Sequence, residues 1–229
     1  RTLSRRATAR PTMMLALCAA LLGTTLPASR LAHGAPAPPA DADWVLRTLA
    51  QPAPMRTPFL EVRDSPLLKE ALRLQGEYRR PQDDTLVREV TTPYRETTTL
   101  RAGTATIARD GKRPRTFSLS RAPELASLQT SFGALLAGDR AGLEQHYRLR
   151  VAGPRQRWTL TLAPKDATLA AKVREIVLYG QGAELRCIET HPAKGPLQRT
   201  LLASAARAAG DGSDAAALQT LCRDGVARP

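Results

Sequence analysis

Apolar and polar side chains alternate in two neighbouring segments, residues 147–151 and 158–162. A period of two is typical of β-strands that bury one face and expose the other. Gly153-Pro154 lies between the segments and predicts a turn. The apolar positions share one parity within each strand: Tyr147, Leu149, Val151, Trp158, Leu160 and Leu162.

The same period recurs along most of the chain. Turn signals at Pro93, Ala102-Gly103 and Asp110-Gly111 separate the earlier strand candidates. A later hairpin is centred on Gly180-Gln181-Gly182, and residues 197–204 give a last strand. Short strands that are joined by tight turns predict an antiparallel meander rather than βαβ units. Together with residues 147–151 and 158–162, about eleven strands are predicted, at residues 58–65, 67–81, 84–93, 94–103, 104–112, 115–120, 173–181, 183–190 and 197–204.

Helical periods flank and interrupt this series. Residues 41–51 predict a short helix that Asp41 or Asp43 caps, and residues 140–146 and 165–172 predict single turns. In residues 123–137, one helical face carries Leu125, Leu128, Phe132, Leu135 and Leu136. The expected fold is mainly β (α+β): a half-open, strongly curved antiparallel β-barrel with an N-terminal helix and lid helices. The shared apolar parity should then face the concave side.

The first residues have the pattern of a secretory signal peptide. Arginines precede a short apolar run and small residues follow it, so residues 1–35 are predicted to be cleaved after Gly34 or Ala35. We reject lipidation at Cys18, because Leu17 stands where a small residue is needed. We expect export to the periplasm, a Pro/Ala linker over residues 36–43, one half-barrel domain over residues 44–205 and a flexible tail over residues 206–229.

The chain is strongly basic, with a formal net charge of +13. Residues 1–35 hold five arginines and no acid, so their removal lowers the charge from +13 to +8. The basic residues are scattered along the strands, which favours a solvated surface over nucleic-acid binding. Alternating glutamates suggest cross-strand ion pairs at outward positions: Glu61, Glu70, Glu77, Glu89 and Glu96.

Two cysteines remain after the predicted cleavage, Cys187 and Cys222. An even count in an oxidising compartment favours a disulfide between them. Two free thiols, or a metal site with His191, are the alternatives.

Catalytic motifs are scarce. Neither His146 nor His191 lies beside a nucleophile in a known arrangement, and no serine-hydrolase, metalloprotease or phosphate-loop motif occurs. We therefore expect a protein that is not an enzyme and needs no cofactor. A mostly apolar concave surface favours binding of an apolar ligand.

Three segments, residues 59–90, 137–151 and 157–189, resemble the LolA-like periplasmic carriers, in particular the LolA-related branch. The similarity covers about residues 40–205 and contains no catalytic motif. It implies a monomeric carrier that shields the acyl chains of a lipoprotein or another lipid-like cargo. An inner-membrane donor complex and an outer-membrane acceptor are the implied partners. Aromatic residues make up 4% of this chain, fewer than is common in the family.

On this resemblance we assign the cavity lining, although each residue is equally compatible with an ordinary core. The lining set is Leu72, Leu74, Tyr78, Leu149, Val151, Trp158, Leu160 and Leu162, and the lid set is Leu125, Leu128 and Phe132. Arg63 and Arg73 are predicted at the rim, where an exposed salt bridge is the alternative.

Two competing functions remain. One is an envelope interaction module that binds an acidic partner through a basic convex surface. The other is a lipid hydrolase, which the residue inventory does not support.

Overall fold

A single unclosed sheet dominates the computed structural model, which describes residues 38–63, 69–121 and 133–224. These residues lie within one compact unit, Pro36–Pro229. The strands are β1 (Met55–Arg63), β2 (Leu72–Gln82), β3 (Thr85–Thr92), β4 (Glu96–Arg101), β5 (Thr104–Arg109), β6 (Arg115–Ser118), β7 (Tyr147–Ala152), β8 (Trp158–Pro164), β9 (Val173–Gln181), β10 (Glu184–Pro192) and β11 (Gln198–Leu202).

All eleven strands pair antiparallel in the order β6-β5-β4-β3-β2-β1-β11-β10-β9-β8-β7. Within the described residues β6 and β7 are the two edges, so the sheet does not close on itself. This topology confirms the predicted fold class and strand count. The last strand, β11, inserts between β1 and β10 and joins the two halves of the sheet.

The helices are α1 (Ala42–Leu49), α2 (Arg140–His146), α3 (Ala167–Ala170), α4 (Ala203–Ala208) and α5 (Ala215–Arg223), with a 3₁₀ turn at Leu119–Arg121. Residues 133–137 are also helical. None of the helices in the described ranges is both long and apolar enough to cross a membrane. The predicted signal peptide and the predicted lid residues Leu125, Leu128 and Phe132 lie outside the described residues.

Strand register decides which side chains share a face, because directly opposed residues point to the same side of a sheet. Leu160 of β8 lies opposite Val151 of β7 and Leu178 of β9. On β1, Glu61 lies opposite Leu74 of β2 and Thr200 of β11. We call the face that carries these residues the inner face, and the opposite face the outer face.

Helix α1 packs on the inner face. The side chain of Asp41 accepts a hydrogen bond from the Trp44 backbone N–H at 2.8 Å and caps the helix, as one of the two predicted caps. The buried stripe of α1, which includes Val45, Leu46 and Leu49, packs against Trp158 and Leu160.

The C-terminal helices pack on the outer face, which corrects the prediction of a flexible tail for residues 206–224 and of a domain end at 205. The last five residues of the predicted tail lie outside the described residues. Leu218 and Cys222 of α5 are 2% and 1% exposed, and they pack against outer-face residues such as Leu60 and Leu201. Asp214 caps α5 by accepting from the Ala217 N–H at 2.7 Å. The sequence does hold a signal for α5: Asp214 can cap the helix, and the apolar residues Leu218 and Cys222 follow at a spacing of four. Glycines and alanines around it obscured that signal.

A disulfide joins Cys187 of β10 to Cys222 of α5. Both cysteines are essentially unexposed, and the bond closes a loop with a sequence separation of 35 residues. It fastens α5 to the outer face of the sheet.

Replacing both cysteines with alanine should lower the free energy of unfolding by about 3 kcal/mol, because the unfolded chain regains the freedom of that loop. Urea unfolding of the oxidised protein and of the double variant measures the difference. Reduced wild-type protein is the control and should show a similar loss. A change below about 1 kcal/mol would show that packing alone holds α5.

Candidate functional site

A cavity of about 390 Å³ lies against the inner face. Leu100 of β4 and Ile176 of β9 both line it, although five strands lie between β4 and β9 in the sheet order. Strands in a flat sheet lie about 4.8 Å apart, which would hold these two residues far from each other. The sheet therefore curls around this cavity, and the inner face is its concave side.

The helical residues 133–137 form another wall through Leu135, which is 3% exposed. The helix ends at Gly138, whose φ of 69° favours glycine. An added Cβ at Gly138 would lie 3.3 Å from the Leu46 carbonyl oxygen. Close approach of this turn to α1 thus fixes where Leu135 lies.

One side of the cavity is apolar. Its side chains come from β3, β4, β8, β9 and the helical residues 133–137, and include Leu86, Leu100, Leu135, Leu162, Ile176 and Leu178. With an apolar lining and a volume within the range of ligand pockets, the cavity is suited to a hydrocarbon chain.

Other positions of the cavity wall, some of them on the same strands β3 and β4, are polar and charged. We call Glu61, Arg63, Arg88, Thr98, Gln198 and Thr200 the polar belt, and all six line the cavity. The Glu61 carboxylate accepts hydrogen bonds from Arg88 Nη2 at 2.6 Å and from Arg63 Nε. Glu61 is 5% exposed, so this is a largely buried ion-pair cluster.

Two glutamates were therefore assigned to the wrong face. Glu61 and Glu96 lie on the inner face, where Glu96 accepts from Arg109 Nε at 2.8 Å. Glu77 and Glu89 do lie on the outer face, paired with Arg56 and Arg79. For Glu61 the error has a clear cause: Phe59, Leu60 and Glu61 are all buried, so alternation along β1 does not identify its inner face.

Tyr78 also lines the cavity beside the polar belt, and both Tyr78 and Arg88 have shifted pKa values. Burial, aided by the Glu61 carboxylate, raises the pKa of Tyr78 above its ordinary value. Burial opposes the charge of Arg88, but the Glu61 carboxylate outweighs it and raises the pKa of Arg88. At neutral pH Tyr78 is thus neutral and Arg88 is cationic, with the Arg88 guanidinium 4.9 Å from the centre of the Phe59 ring.

The predicted lining residues all lie on the inner face, but they divide into three groups. Tyr78 and Leu162 line the cavity itself. Trp158 and Leu160 are buried beneath α1, with Leu149 and Val151 beside them. Leu74 is buried with Phe59, Val90 and Leu202, and Leu72 packs at the edge of that cluster.

The two predicted rim arginines lie on opposite faces. Arg63 lines the cavity and is 46% exposed. Arg73 lies on the outer face, which corrects its assignment to the rim. Its guanidinium donates to the carbonyl oxygens of Ser213 at 3.0 Å and Gly210 at 3.1 Å, and so holds the loop between α4 and α5.

A larger cavity, of about 990 Å³, adjoins the first and shares Leu86 with it. Its lining is rich in polar groups, including Asp83, Asp84, Ser118 and His146. Such walls offer little to a hydrocarbon chain. The smaller cavity is the better candidate for a binding site.

The protein is thus a curved open sheet with an apolar-walled cavity on its concave face, and such a cavity is suited to an apolar ligand. A family model described as "Outer membrane lipoprotein carrier protein LolA-like" matches residues 34–226. The chain belongs to this LolA-like family, as its resemblance predicted. No curated protein matches the chain.

Similar solved structures include a LolA superfamily protein from Nitrosomonas europaea, at 12% identity and a TM-score of 0.37, covering 72% of this chain and 91% of that one. The MucA/MucB complex of Pseudomonas aeruginosa is similar at 18% identity and a TM-score of 0.37, covering 71% and 56%. LprF from Mycobacterium bovis is similar at 14% identity and a TM-score of 0.33, covering 73% and 94%. The family assignment rests on the family model and not on these structures.

Proposed function

We propose that this protein is a periplasmic carrier that shields the acyl chain of a lipoprotein or another lipid-like molecule. The cavity on the inner face carries the proposal, because its apolar wall is the part of the molecule best suited to a hydrocarbon chain. Each buried methylene contributes about 0.8 kcal/mol, so a sheathed chain is far more stable than one in water.

The cavity volume of about 390 Å³ is near the lower end of the range for ligand pockets. One acyl chain therefore fits the proposal better than several. A cargo with more chains would require the cavity walls to move apart. One of these walls is formed by the helical residues 133–137 through Leu135.

Delivery requires that an acceptor bind the cargo more tightly than the carrier does. We propose an inner-membrane donor and an outer-membrane acceptor as the two ends of the route, with the carrier acting as a monomer. We also propose that the cargo is carried without chemical conversion, in keeping with the scarcity of catalytic motifs in the sequence.

Native mass spectrometry of the protein purified from periplasm without detergent tests the carrier function. We expect a co-purifying acylated species at one per chain. If the protein is empty and also ignores added lipoprotein and fluorescent acyl probes, the carrier proposal fails. An acidic protein partner bound instead would favour the interaction module.

A cavity-blocking exchange tests the location of the site. Thr98→Trp places an indole in the cavity and should weaken binding of a fluorescent fatty acyl probe by at least about tenfold, since excluding two methylenes already costs that much. The matched control is Thr99→Trp, the next residue of β4, which points to the outer face. Equal binding by the two variants would place the acyl site elsewhere.

A further inference from the structure

The inner face changes from polar to apolar across neighbouring strands. One row of opposed residues runs from Arg63 of β1 through Gln198 of β11 and Thr190 of β10 to Ile176 of β9 and Leu162 of β8. All five line the cavity. Three strand spacings, about 14 Å along the sheet, separate β1 from β9, so the distance between the charged end and the apolar end of the cavity is roughly the length of an extended chain of ten to twelve carbons.

The charged end holds more positive than negative charge. Arg63 and Arg88 both bond to the single carboxylate of Glu61. Across the described residues, no second carboxylate pairs with either guanidinium. The group of Glu61, Arg63 and Arg88 therefore has a formal charge of one positive unit, and its neighbours in the belt are hydroxyls and an amide. The other carboxylate in the cavity lining, Glu96, is paired with Arg109 and adds no net negative charge.

A wholly apolar cargo would not benefit from this arrangement. Desolvating charges is costly, and a buried ion pair adds little stability compared with apolar residues of the same size. A cavity that only shields hydrocarbon would bind it better with leucine at these positions. The polar belt thus favours a cargo that has a polar group at one end.

We infer that the cavity binds single-chain amphiphiles with an anionic head, a carboxylate or a phosphate, with the head at Arg63 and the chain along the Ile176 side. This inference rests on the proposed acyl-binding function and specifies its substrate class. A guanidinium binds both carboxylates and phosphates with two parallel hydrogen bonds, so the two heads share one chemistry. Arg63 is the more accessible partner of Glu61, at 46% exposed against 18% for Arg88, so a ligand in the cavity can reach it more readily.

The test is displacement of a fluorescent acyl probe by compounds with one twelve-carbon chain and different heads. Dodecanoate and dodecyl phosphate should compete at least about tenfold better than dodecanol, because a hydrogen bond to a charged group contributes that much. Dodecyltrimethylammonium should compete worst. The ratio between the two anions shows whether carboxylate or phosphate is preferred.

Arg63→Gln should remove most of the preference for the two anions over dodecanol. Arg56→Gln is the control, since Arg56 lies on the outer face of the same strand and is 68% exposed. If dodecanol equals the anions in the wild-type protein, or if Arg63→Gln and Arg56→Gln behave alike, the inference is overturned while acyl binding stands. If no compound and no probe binds, the carrier proposal fails and this inference fails with it.

Discussion

Replacing Glu189 with glutamine is expected to lower the free energy of unfolding by about 3 kcal/mol. Glu189 lies on the outer face, beneath the C-terminal helices, with none of its surface exposed. Its carboxylate accepts hydrogen bonds from Arg199 Nη2 at 2.7 Å, Arg223 Nη2 at 2.9 Å and the Tyr179 hydroxyl at 3.0 Å. A glutamine leaves two guanidiniums without their shared anion.

Breaking a buried ion pair from one side costs about 3–5 kcal/mol. We expect the lower end here, because Arg223 is 39% exposed and water can solvate it once the pair is broken. Urea unfolding at neutral pH measures the change. The control is Glu77→Gln on the outer face, which breaks an exposed pair with Arg56 and should cost less than about 1 kcal/mol. Equal losses of stability from the two exchanges would refute the assignment of Glu189 to a buried ion-pair cluster.

The same carboxylate makes stability depend on pH. Burial opposes the ionisation of Glu189, but hydrogen bonds from Arg223 and Arg199 outweigh it and lower the pKa below its usual 4.5. A lowered pKa stabilises the fold fully above the usual value, and this contribution is lost as pH falls through the folded-state pKa. Wild-type stability should therefore fall more steeply than that of Glu189→Gln in acid. Tyr179 does not titrate in this acidic range, because burial and the Glu189 carboxylate raise its pKa to about 12.

Leu160→Ala should cost about 2–5 kcal/mol of stability, because it leaves a void between β8 and α1. Leu160 has no exposed surface and packs in the cluster with Leu46 and Trp158. It does not belong to the lining of the cavity on the inner face. The affinity of the folded variant for an acyl probe should stay close to that of the wild type.

Leu162→Ala is the comparison, since Leu162 follows on the same face of β8 and does line the cavity. Removing its side chain should weaken probe binding several-fold, since each lost methylene contact is worth about 0.8 kcal/mol. Thermal unfolding and probe titration on both variants give the two quantities. If Leu160→Ala weakens binding as much as Leu162→Ala does, Leu160 is part of the binding wall.

The structure shows why the predicted lining residues divide between the cavity wall and the buried core. Strand parity places Trp158, Leu160 and Leu162 on one face, and the structure agrees. Parity does not tell which of them a helix will cover. That depends on where α1 and the helical residues 133–137 cross the sheet, and these positions are set by contacts distant in sequence.

The sequence by itself determined the eleven strands, their tight turns and the antiparallel pairing of neighbours, and its resemblance to the LolA-like carriers identified the family. The strands and turns follow from local periods and turn residues, which need no distant partner. The tertiary structure alone decided that Glu61 faces the cavity, that Arg73 holds the α4–α5 loop and that α5 covers the outer face. On β1 and β10 both faces are buried, so alternation could not show which side each charged residue takes. The second face of these two strands is covered by elements that are distant in sequence, and these elements reach it only when the chain folds.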